Sequence, residues 1–143
     1  MASSAVRFSG GPEAPTVPGE MPSPGGPIVA HLLRVLPTLG VQVVKEEDVE
    51  YAHELRCQVG ARVYAVCVSY DWVQEGWWEV FWGPTLNLLQ RLVGQSEQEE
   101  LRRLALAVSQ ALESLPGIRE KRWYVNYAAS VKSGSQFTTV PTV

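Results

Sequence analysis

Residues 71–82 read DWVQEGWWEVFW and carry four of the chain's five tryptophans, Trp72, Trp77, Trp78 and Trp82. Gln74-Glu75-Gly76 has turn composition, and the residues after it follow a strand pattern. Successive side chains of a strand point to opposite faces, so Trp78, Val80 and Trp82 share one face and Trp77, Glu79 and Phe81 the other. Both faces then bear large aromatic groups. Each has to meet something: a helix layer, another chain or a ligand.

The segment upstream reads as the hairpin that this strand joins. Tyr51, His53, Leu55, Cys57 and Val59 alternate with Ala52, Glu54, Arg56 and Gln58. After Gly60-Ala61, Tyr64, Val66, Val68 and Tyr70 alternate with Val63, Ala65, Cys67 and Ser69. A two-residue turn pairs 59 with 62, 57 with 64 and 54 with 67, which sets the apolar residues of both strands on one face. Turn and pattern agree, and with Trp77 to Trp82 they predict a three-stranded antiparallel meander. The same register points Cys57 and Cys67 to opposite faces, too far apart for a disulfide. Two free thiols fit a reducing compartment.

Helical spacing flanks the meander. Pro27 suits the first turn of a helix, and Ile28, Val29, Leu32, Leu33, Val35 and Leu36 follow at helical intervals before Pro37 and Gly40. Val41 to Val44 predicts a short strand, and Glu46, Glu47, Asp48 and Glu50 a solvated acidic loop. Gly83-Pro84 opens a second helix carrying Leu86, Leu89, Leu92 and Val93, closed by Gly94. Ser96 with Glu99 forms a capping-box pattern for a third, about 97 to 115, with a stripe of Leu101, Leu104, Val108, Ala111, Leu112 and Leu115. Pro116-Gly117 stops it. Arg119 to Arg122 reads as a basic loop, and Trp123, Val125 and Tyr127 as a last strand.

The expected fold is α+β: an antiparallel sheet, made of the meander plus one or two further strands, with about three helices packed mainly on one face. Residues 1–27, rich in Pro, Gly and Ser, are expected to be a flexible arm, with a short edge strand around Val6 and Phe8 as the alternative. Residues 28–128 form the single domain, and residues 129–143 a flexible C-terminal tail.

Several function classes are disfavoured. The 143 residues carry a net charge of −3, a poor balance for neutralising nucleic-acid phosphates. There is no apolar run long enough to span a membrane and no secretory leader, so the expected location is cytoplasmic. His31 and His53 have no nucleophile at usable spacing; His53 and Cys57 on one strand face are roughly 13 Å apart. Gly10-Gly11 and Gly25-Gly26 lack the spacing of phosphate loops. The two cysteines have no further ligands nearby for zinc. No catalytic residue, metal or cofactor is assigned.

The expectation is therefore a non-catalytic protein-binding module. Small acidic α+β proteins without catalytic groups are typical of bacterial immunity proteins that neutralise toxins, and of secretion chaperones; the analogy is one of size, charge and fold class. Glu46, Glu47, Asp48 and Glu50 would meet a basic toxin domain. Asp71, Trp72, Glu75, Trp77 and Glu79 would supply an aromatic sheet face with exposed indoles as anchors, Glu79 pairing with Arg56 or Arg62. The alternatives are a small-ligand or enzymatic domain with an aromatic pocket lined by Tyr70, Trp78 and Trp82, and a chaperone or subunit of a larger assembly.

Overall fold

The structure, a computed structural model, describes residues 3–12, 25–49, 52–71, 74–84, 97–125 and 137–143. In chain order the elements are β1 (Ala5–Gly10), α1 (Gly26–Val35) with a 3₁₀ turn (Leu36–Leu39), β2 (Gln42–Val49), β3 (Ala52–Val59), β4 (Arg62–Tyr70), β5 (Trp77–Pro84), α2 (Glu97–Glu113) and β6 (Ile118–Tyr124). The strands form one antiparallel sheet in the order β2-β3-β4-β5-β1-β6.

The hairpin register is the one the two-residue turn dictates. Val59 faces Arg62, Cys57 faces Tyr64 and Glu54 faces Cys67. β5 then places Trp82, Val80 and Trp78 beside Val66, Val68 and Tyr70. These residues, with Val6 and Phe8 of β1 and Leu55 and Val59 of β3, form one buried face. Ile28, Val29 and Leu32 of α1 and Leu104, Val108 and Leu112 of α2 belong to the same core, so both helices cover that one face of the sheet.

A buried polar clamp fixes the start of α2. Glu100 of its first turn pairs with Arg62 and accepts a hydrogen bond from Tyr64 at 3.0 Å, so the helix is tied to β4. Gly60 in the hairpin turn makes room for this pair. Its φ is +63°, and a Cβ there would lie 2.6 Å from Glu100 Oε2.

Several expectations are corrected. Residues 5–10, expected within a flexible arm or as an edge strand, form an inner strand between β5 and β6. Val6 and Phe8 supply core side chains, and an inner strand satisfies the backbone of both neighbours. The acidic segment is not a loop: Glu46, Glu47 and Asp48 continue β2 to Val49, because the edge of a sheet lets charged side chains stay in water while the backbone pairs on one side. Arg119 to Arg122 likewise belong to β6. Of the C-terminal residues, 137–143 return to the sheet. Trp123 exchanges both backbone hydrogen bonds with Thr138, and Ser3 N–H donates to the Thr142 carbonyl. The expected helix around Leu86 to Val93, together with Glu50 and Trp72, lies outside the described residues, within which there are two α-helices. No helix there is long and apolar enough to cross a membrane.

Candidate functional site

The face of the sheet opposite the helices is a lattice of charges and rings set by the register. Ser69, Glu79, Arg7 and Arg122 are consecutive neighbours across β4, β5, β1 and β6. Trp77, Ser9 and Glu120 form the next row. Arg7 is the centre. Its guanidinium pairs with Asp71, lies 3.5 Å from Glu79, donates to Gln74 Oε1 at 2.8 Å and sits 5.4 Å from the Trp77 ring centre. Burial works against its charge, but contact with Tyr124 and the negative field of Asp71 and Glu79 outweigh it, so the Arg7 pKa is raised. Arg122 stacks between two rings, 4.5 Å from the centre of Trp77 and 4.8 Å from that of Phe137, and its Nε donates to Glu120 at 3.2 Å.

This geometry revises the expected face. Asp71, Trp77 and Glu79 do come together. Glu79 pairs with Arg7 rather than with Arg56 or Arg62, because β1 inserts beside β5 and Arg62 turns inward to Glu100. Trp77 is not an exposed anchor. Held between Arg7 and Arg122, it is only 7% exposed. The exposed ring of the cluster is Phe137, at 43%. Glu75 is exposed in the turn before β5. Arg7 and Phe137 carry no site assignment in the sequence reading. The one available signal was the Val6-Arg7-Phe8 alternation.

The acidic residues sit elsewhere. β2 is one of the two outer strands, three strand spacings or roughly 14 Å from β5. Glu46 and Glu47 are exposed; Glu47 lies 3.9 Å from Lys45, and Asp48 lies 3.9 Å from His53. Val44, beside a register shift between Val43 and Lys45, is 49% exposed. The edge strand and the arginine-aromatic face are thus two surfaces rather than one site.

The nucleophile candidates are muted by their surroundings. Burial pushes the Cys57 thiol up to about 12. Burial, aided by Glu54, pushes Cys67 up to about 11. Both are thiols, not thiolates, at neutral pH. His31 Nε2 is 2.7 Å from the Ala111 carbonyl and 2.9 Å from Ser114 Oγ, while Arg34 approaches Nδ1 at 2.9 Å. Arg34 can only donate, so Nδ1 accepts and Nε2 carries the proton. That tautomer ties α1 to the end of α2 and cannot take a proton from Ser114. Tyr70, Trp78 and Trp82 are core side chains: Tyr70 meets Trp78 edge-on at 4.9 Å, and Trp82 meets Trp123 at 6.3 Å. Among the described residues no group of three His, Cys, Asp or Glu is placed to hold a metal ion.

Comparison with known proteins places no relative beside this arrangement: no family model, no curated protein and no solved structure matches the chain.

Proposed function

We propose that this chain is a non-catalytic protein-binding module whose docking element is the acidic edge strand β2. The observation that supports it is a terminal strand with exposed Glu46 and Glu47, Asp48 alongside and Val44 half exposed, which offers backbone groups for strand addition and charge for selecting a basic partner. Its most specific form is an immunity-type inhibitor, in which β2 covers a basic toxin surface and charge speeds the encounter. The arginine-aromatic face around Trp77 and Phe137 would be a second contact area, Arg and aromatic groups being favoured at interfaces. Two free cysteines accord with a cytoplasmic setting. An aromatic ligand pocket has less support, because Tyr70 packs on Trp78 and Trp82 on Trp123.

The test is affinity capture from the native source with the wild type and with Glu46→Lys/Glu47→Lys. The wild type is expected to retain a basic protein whose activity it suppresses at equal stoichiometry, and the variant to lose it. Capture that is indifferent to the reversal removes β2 from the interface.

A further inference from the structure

The sheet has two outer strands, β2 and β6, and their charges are opposite. β2 carries Glu46, Glu47 and Asp48 against Lys45. β6 carries Arg119, Lys121 and Arg122 against Glu120. Among the described residues the outer side of β6 is bridged at Trp123, by Thr138, which leaves the Ile118–Arg122 portion as an open edge.

Strand direction makes the two edges compatible. All five neighbour relations between β2 and β6 are antiparallel, so β2 and β6 themselves run in opposite directions. A second copy placed beside β6 in the same orientation therefore presents its β2 antiparallel to that strand, with its helices on the same side of the continued sheet. The faces agree as well. Glu47 and Arg122 lie on the outer face of their strands, and Asp48 and Lys121 on the helix side. One antiparallel register that sets Glu47 opposite Arg122 also sets Asp48 opposite Lys121. The symmetric alternatives bring like net charge together: β2 on β2 joins two acidic strands, and β6 on β6 two basic ones.

We propose that copies of this chain associate head to tail, β2 of one copy adding to the Ile118–Arg122 edge of the next, its Glu46 taking the place of Thr138 beside Trp123. This inference rests on the reading of β2 as a docking edge and names a second copy as an occupant. Such a contact is heterologous, so it builds a ring if the sheet twist closes it and an open chain if it does not.

The test is light scattering after size exclusion, over a dilution series at low and high salt, on the wild type, on Glu47→Lys/Asp48→Lys, on Lys121→Glu/Arg122→Glu, and on an equimolar mixture of the two variants. Circular dichroism checks that each variant is folded. The wild type is expected to grow in mass with concentration and to shrink with salt. Each variant alone should associate about tenfold more weakly or not at all, and the mixture should recover assembly, because the reversed β2 of one fits the reversed β6 of the other. A monomeric wild type overturns the proposal, as does assembly that neither variant weakens, or a mixture that stays monomeric. A monomer whose capture of a basic protein still depends on Glu46 and Glu47 sinks self-assembly and leaves the docking edge standing. A monomer with indifferent capture sinks both.

Discussion

Trp78 concentrates the physics of this fold in one side chain. It is 1% exposed, meets Tyr70 edge-on, and would touch a Cβ at Gly25, where the chain turns with φ +104° to enter α1. Trp78→Ala removes that packing and leaves a cavity in the core, so the expected loss is ~3–5 kcal/mol. A shift of the urea midpoint checks it, and an unchanged midpoint contradicts the core role. The thiols make a second prediction. Cys57 and Cys67 are raised from 9.0 to about 12 and about 11, so the folded state holds their protons longer than the unfolded chain does. Their contribution is fully present below pH 9.0, the ordinary thiol value, and is lost as pH climbs through the folded values. Between pH 9 and 11 the wild type should lose more stability than Cys57→Ala/Cys67→Ala, measured by urea unfolding at each pH. At this scale the sequence was legible for β5, since strict alternation names inward and outward residues before any partner is known. It was blind to Arg7, whose importance comes from Asp71, just past the end of β4, and Glu79 of β5.

Among elements, β1 departs most from local expectation. Its six residues carry little propensity signal, yet they pair with β5 on one side and β6 on the other. Without it β6 would lose its ladder and β5 one of its two, and Val6 and Phe8 would leave the core. Deleting residues 1–10 is therefore expected to abolish the cooperative thermal transition, and a circular dichroism melt settles the matter. A dispensable arm would leave the transition intact. α2 shows the opposite balance. Its stripe was plain from Leu101, Leu104, Val108, Ala111 and Leu112, but its anchoring was not. Glu100 reads as one more acidic residue of a first turn, and only tertiary contact turns it toward Arg62 and Tyr64. Glu100→Gln removes the negative charge facing a buried guanidinium and should lower the melting temperature, whereas Glu99→Gln on the exposed side of the same turn should leave it unchanged.

At the scale of the fold, both helices among the described residues lie on one side of the sheet, and among those residues the arrangement leaves a charged, ring-bearing face and two edges, β2 and the Ile118–Arg122 part of β6, with no strand beyond them. The edges are on the surface, so Glu46→Lys/Glu47→Lys should change unfolding free energy by less than ~0.5 kcal/mol per site while altering association, as denaturation and light scattering together would show. A large stability loss would mean that β2 is held by its charges rather than by its ladder with β3. By itself the sequence determined the meander, its register and the inward set of residues, because turn length and two-residue alternation are local properties that no distant contact has to supply. Tertiary structure alone decided that an N-terminal strand enters the middle of the sheet, that the acidic and basic segments become its opposite borders, and that Arg122 is gripped between Trp77 and Phe137. Those outcomes depend on pairings between residues more than a hundred positions apart in places, and the free energy that selects them is shared among many buried neighbours rather than written in any one segment.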